Sequence, residues 1–167
     1  RIVANNSIAY GNVTSLVTAG DLSYIFLLAK DAYGNLVDSA SNEVMINFKM
    51  EDLTSANVQV NIIPLDGGIY NISYLATLSG LFSVYVYFNF TDVFSGFPIP
   101  IFVNPGSLSP NECTFQGLVP ATTDFQEFLV VTRDAYSNSL TNGGADLVLS
   151  LNNRVIGVES AVIDYFI

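Results

Sequence analysis

Ile69-Tyr70-Asn71-Ile72-Ser73-Tyr74 and, one turn later, Gly80-Leu81-Phe82-Ser83-Val84-Tyr85-Val86-Tyr87-Phe88 decide how this chain folds. In the first stretch Tyr70, Ile72 and Tyr74 alternate with Asn71, Ser73 and Leu75. In the second, Val84, Val86, Phe88 and Phe90 alternate with Tyr85, Tyr87 and Asn89. The period is two, so one phase of each segment faces a core and the other faces outward. Val44, Ile46 and Phe48 show the same alternation, as do Leu147, Leu149 and Leu151. Turn signals separate these runs, among them Tyr33-Gly34-Asn35, Asp66-Gly67-Gly68, Ser79-Gly80 and Asn142-Gly143-Gly144. Strands bounded in this way predict an all-β sandwich.

Composition narrows the class. The chain has 167 residues, 50% of them hydrophobic and 12% charged, about half of the ~25% charge of an average soluble protein. Mean hydropathy is +0.44. A membrane-spanning helix needs ~20 consecutive apolar residues, and the longest apolar runs, Tyr24–Ala29 and Val84–Phe88, fall well short. Twelve Phe and nine Tyr supply a core, which separates the chain from disordered sequences. Net charge is −10, and an anionic surface repels phosphate, so nucleic acid is not an expected partner. The sequence begins at Arg1 without an initiator Met or a signal-peptide pattern, and is expected to be a processed or excerpted chain.

The chain repeats itself. Ala29-Lys30-Asp31-Ala32-Tyr33-Gly34-Asn35 matches Thr132-Arg133-Asp134-Ala135-Tyr136-Ser137-Asn138 at an offset of 103 residues, Asp31 to Asp134. Val44, Ile46 and Phe48 overlie Leu147, Leu149 and Leu151 at the same offset. Upstream, Ser7–Gly11 resembles Glu112–Gly117 once a gap is allowed. A repeat of ~100 residues suits an immunoglobulin-like sandwich.

Four elements in order carry a family resemblance: Asp31-Ala32-Tyr33-Gly34-Asn35, then Asp66-Gly67-Gly68-Ile69-Tyr70-Asn71-Ile72-Ser73-Tyr74, then Gly80–Phe88, then Ser95-Gly96-Phe97-Pro98-Ile99. Together they resemble a filamin-type immunoglobulin-like repeat, with Phe97-Pro98-Ile99 in place of the family's Ser-Pro-Phe. The resemblance implies tandem antiparallel sandwiches: a first domain over 1–104 and a partial second domain over 105–167 holding the first strands only. Val158–Ile167 falls where Ser55–Pro64 lies in the first repeat. Missing sequence or another chain would complete the second sandwich.

Candidate sites are few. The chain has no His, which removes the commonest general base and metal ligand. No nucleophile motif, phosphate loop or clustered calcium acids occur, so no catalytic, cofactor or metal residues are expected. The single Cys113 reads as a small buried hydrophobe. Asp31 and Asp134 are expected to cap backbone N–H groups in their turns. Four sequons place N-linked glycan candidates at Asn5, Asn12, Asn71 and Asn89, the last two on the outward strand phase. Tyr85 and Tyr87 share that phase as candidate contacts, or as ordinary cross-strand tyrosines. Assembly candidates at the C-terminal end are Val158, Val162, Ile163, Tyr165, Phe166 and Ile167.

The expected role is a structural subunit of an extracellular or cell-surface filament, assembling with itself through strand edges. A cell-surface adhesion module, binding surface proteins or glycans, is the alternative. An intracellular filamin-like cross-linker is a further one.

Overall fold

The computed structural model describes residues 2–11, 16–38, 44–50, 58–88, 92–93, 98–117, 128–142, 146–151 and 154–160. The chain divides into two compact units, Arg1–Gly106 and Ser107–Ile167.

The first unit is a two-sheet sandwich. One sheet has the order β1 (Ile8–Gly11), β3 (Leu22–Leu28), β6 (Ile69–Ala76), β5 (Val58–Leu65). The other runs β2 (Val17–Thr18), β9 (Ile99–Asn104), β7 (Gly80–Phe88), β4 (Val44–Met50), with β8 (Asp92–Val93) also on β7. Every pair in this unit is antiparallel except β2–β9, where Val17 and Thr18 run parallel to Val103 and Asn104.

Alternation sets the core as the sequence predicts. Ile25 and Leu27 of β3 face inward with Tyr70, Ile72, Tyr74 and Ala76 of β6. Phe48, Phe82, Val84, Val86, Ile101 and Val103 close the core from the second sheet. Each fully buried large apolar side chain contributes ~1.5–3 kcal/mol. Phe48 joins the layers: its ring lies 5.0 Å from Tyr74 and 6.5 Å, edge-on, from Phe82. Burial raises the Tyr74 phenol above its ordinary pKa, partly offset by Ser23 directly across the pair. That hydroxyl is close enough to lower the charge cost but forms no full hydrogen bond.

The hairpin between β5 and β6 turns at Asp66-Gly67-Gly68. Gly68 has φ +73, and a Cβ there would sit 2.6 Å from the Val37 carbonyl oxygen. Its own carbonyl accepts from the Ala29 N–H at 2.8 Å. Left-handed backbone and close approach both require glycine here.

In the second unit β10 (Thr114–Gly117) pairs with β11 (Phe128–Val131), and β12 (Asp146–Leu151) with β13 (Arg154–Ser160). The first three correspond in order to β1, β3 and β4, whereas β13 at the 103-residue offset overlies residues 51–57, which lie outside the described residues. The last pairing departs from the first repeat. There β4 pairs with β7 and β5 with β6; here β13 folds straight back on β12. No described strand of this unit corresponds to β6 or β7. The edge of β12 is therefore met by the strand that follows it.

The upstream gap also has a structural form. Ser7 corresponds to Cys113, an offset of 106. Ser7 Oγ donates to the Val3 carbonyl at 3.0 Å, and Cys113 Sγ donates to the Ser109 carbonyl at 3.4 Å. A short 3-10 turn lies between the partners in each case, Ala4–Asn6 and Pro110–Glu112. Half-buried Cys113 thus stands in for a serine hydroxyl.

Candidate functional site

The outward face of the second sheet carries Tyr85 and Tyr87. Both are half-buried, with ring centroids 6.4 Å apart and planes 19° from parallel. Asn47 and Met45 stand across from them on β4. Lys49 Nζ lies 4.9 Å from the Tyr85 centroid, a cation–π contact worth ~0.5–1 kcal/mol at an exposed site. Leu81 and Phe102 face each other on the same side and are both exposed. This pair was not singled out from sequence, although Leu81 shares the outward phase of Tyr85 and could have been found from it.

Among the described strands of the first unit, β1 and β5 are the edges of one sheet and β2 and β4 the edges of the other. β5 is the longest of these edge strands, and Gln59, Val60, Asn61, Ile63, Pro64 and Leu65 on it all reach solvent. A long apolar edge is a template for a further strand. Pro64 lacks an N–H, which fits an edge position.

The sequence candidates scatter over this frame. Asn5 is exposed in the first 3-10 turn. Asn71 lies on the outward phase of β6, as expected, yet it is half-buried between Phe26 of β3 and Ile63 of β5. Its Oδ1 is buried and has no hydrogen-bond partner among the described residues. Val158 sits in β13, opposite Val148. Asn12, Asn89, Val162, Ile163, Tyr165, Phe166 and Ile167 lie outside the described residues.

Asp31 and Asp134 cap their turns in the same way. Asp31 Oδ1 accepts from the backbone N–H groups of Tyr33 and Asn35 at 2.8 and 2.9 Å, and Oδ2 from Asn35 Nδ2 at 3.2 Å. Asp134 Oδ1 accepts from Tyr136 and Asn138 at 2.9 Å each, and Oδ2 from Asn138 Nδ2 at 2.8 Å. Desolvation pushes the Asp31 carboxyl up, but the hydrogen bonds from Asn35 and Tyr33 outweigh it and hold the group below its ordinary value. Both carboxylates cap their own turns. Among the described residues no three His, Cys, Asp or Glu side chains converge on a metal position. No helix there is long and apolar enough to cross a membrane.

No protein-family model and no curated protein matches this chain. Solved structures do. The Escherichia coli adhesin FdeC is similar at a TM-score of 0.60 and 21% identity, over 86% of this chain and 45% of that one. Invasin, a bacterial integrin-binding protein, gives 0.59 and 20%, over 84% and 28%. InvD of Yersinia pseudotuberculosis gives 0.56 and 18%, over 84% and 44%. The chain spans less than half the length of each. The strand order, the two-layer core and these likenesses together give the chain an immunoglobulin-like antiparallel sandwich fold, the fold that its filamin-type motifs imply.

Proposed function

We propose that the chain is a structural subunit of an extracellular filament or surface appendage, and that its immunoglobulin-like units join through strand edges. The observation that carries this reading is unequal pairing. In the first unit β3, β6, β7 and β9 each have strands on both sides. In the second, each of β10 to β13 has one partner among the described strands. An unpaired edge accepts a strand from another chain with main-chain hydrogen bonds supplying the affinity. Low charge and exposed apolar positions on β5 support the same reading. A cell-surface or extracellular location is supported by the likeness to adhesins. N-linked glycans belong to this proposal, with exposed Asn5 the sequon best placed to carry one.

A chain ending at Asn153 keeps β12 and loses β13. Electron microscopy of the full chain should show polymers, and the shortened chain should show none. Polymers from the shortened chain overturn the mechanism. The likeness to FdeC and to integrin-binding invasin favours a second reading, an adhesion module that binds a surface partner in trans. Purified full chain that stays monomeric yet binds a cell surface supports that reading over polymerisation.

A further inference from the structure

The β5 edge lacks the devices that keep strand edges apart. Of the described edge strands of the first unit, β2 has two residues, β1 has four, and β4 carries Lys49 on its exposed phase. β5 runs for eight residues, Val58–Leu65, without a charged side chain. Short length and charge protect an edge from pairing, and β5 has neither. Its one blocking residue is Pro64.

Pro64 also fixes which backbone groups are open. In an antiparallel ladder, alternate residues turn N–H and C=O toward the same neighbour. β5 is in continuous register with β6 from Val58 to Leu65, and a proline within such a ladder takes the phase that faces away from the neighbour. Val58, Val60 and Ile62 share that phase and present N–H and C=O to the open edge. Their side chains stand opposite Ala76, Tyr74 and Ile72, on the core side of the sheet. Val60 is nevertheless 37% exposed, whereas Tyr74 across from it is 1% exposed. The sandwich is uncovered at Val60, where an occupant has to bring both a strand backbone and an apolar side chain.

The open stretch is symmetric in chemical type. Val58-Gln59-Val60-Asn61-Ile62 reads β-branched, amide, β-branched, amide, β-branched from either end. We propose that it pairs with the same stretch of a second copy of this chain, antiparallel, about a two-fold axis at Val60. The pairing rests on the strand-edge reading above and names its edge, partner and register. Val60 faces its own counterpart, Val58 faces Ile62, and Gln59 faces Asn61, the last two pairs occurring twice by symmetry. About six main-chain hydrogen bonds form, and each amide finds a donor and an acceptor opposite. No like charges meet along the seam, which matters between two chains of net charge −10. Neighbouring registers fit worse. An axis at Ile62 sets Pro64 against Val60 and loses the bonds of its missing N–H; an axis at Asn61 sets the Gln59 amide against Ile63. Five residues a side make a contact well below standard interface size, so the dimer forms at hundreds of micromolar, an order-of-magnitude figure.

Disulfide trapping in the full chain, in a Cys113→Ser background, tests the register. Gln59 and Asn61 are exposed, and in the proposed pair their Cα atoms lie ~4.5–5.5 Å apart, within reach of a disulfide. Gln59→Cys mixed with a tagged Asn61→Cys should give a heterodimer on oxidation. Each variant alone should give at least ~5-fold less, because like positions lie ~8 Å apart, beyond the ~7 Å limit. Val60→Lys in both chains should cut the heterodimer at least ~10-fold by setting like charges face to face. Val60→Pro, whose lost N–H serves no bond to β6, should do the same without lowering the thermal midpoint by more than a few degrees. Leu65→Lys, beyond Pro64, should leave the yield unchanged. A mixture that traps no better than either variant alone overturns the proposal. So does a heterodimer that survives both Val60 substitutions, or one lost on shortening the chain to Asn153, which keeps β5 intact. Specific trapping by a full chain that forms no polymers upholds this pairing and fails the filament reading instead.

Discussion

The turns at Asp31 and Asp134 share a hydrogen-bond plan and differ in surroundings. In both, the aspartate caps two backbone N–H groups and an asparagine side chain. The backbone bonds also repeat: Val37 N–H to the Ala29 carbonyl at 2.9 Å, and Leu140 N–H to the Thr132 carbonyl at 3.0 Å. Yet Asp31 is half-buried and Asn35 exposed, whereas Asp134 is fully buried and Asn138 nearly so. One local motif can therefore serve as a surface clasp or as an internal strut. The sequence fragment dictates the clasp, and the surrounding chain dictates its energetic weight.

The largest test of that difference is the carboxylate itself. Asp134→Ala should destabilise the second unit by about 3 kcal/mol, because three donors lose a buried, charged acceptor. Asp31→Ala should cost the first unit clearly less, since water replaces the lost bonds. Hydrogen exchange at Asn35 and Asn138 reads the two turns separately, and equal losses would break the comparison. A smaller test uses the left-handed residue. Gly34 (φ 84) is matched by Ser137 (φ 65), the one described non-glycine residue with positive φ. Gly34→Ser should cost about 1 kcal/mol, the strain that Ser137 already bears. Ser137→Gly should recover less than that, because Ser137 Oγ donates to Glu112 Oε2 at 2.7 Å. A loss of stability in Ser137→Gly would mean that this bond outweighs the strain.

The smallest effect is that of pH. The folded Asp31 carboxyl titrates below its ordinary value, held there by Asn35 and Tyr33 against desolvation. Its contribution is then complete above the unfolded value of ~3.9 and fades as pH falls through the lowered one. Urea midpoints at pH 7 and pH 3 should differ more for the wild type than for Asp31→Asn. An unchanged difference would show that the turn does not depend on ionisation.

Much of this was readable from residue order. Period-two alternation located the inward phases of β6 and β7 because each strand buries one face, and Tyr70, Ile72 and Tyr74 are buried accordingly. The Asp caps were legible because an Asx turn is local chemistry. The equivalence of Ser7 and Cys113 was not, since hydroxyl and thiol donate the same bond from dissimilar residues. The return of β13 onto β12 was hidden as well, because strand pairing depends on which partners are present, not on the pattern of one strand. Asn71 shows the same limit at the candidate site. Phase tells which side of a sheet a residue takes, but its accessibility depends on Phe26 and Ile63 of the adjacent strands.

The parallel pairing of β2 with β9 has a mechanical consequence. Val17 and Thr18 lie beside Val103 and Asn104, and the Ala19 N–H adds a bond to the Asn104 carbonyl at 2.8 Å. Tension pulling the start of the first unit away from its end draws these strands past each other lengthwise. Their bonds then share the load in shear, where an antiparallel hairpin would give way one bond at a time. The load reaches this clasp once β1, which precedes β2 and pairs with β3, has been drawn off.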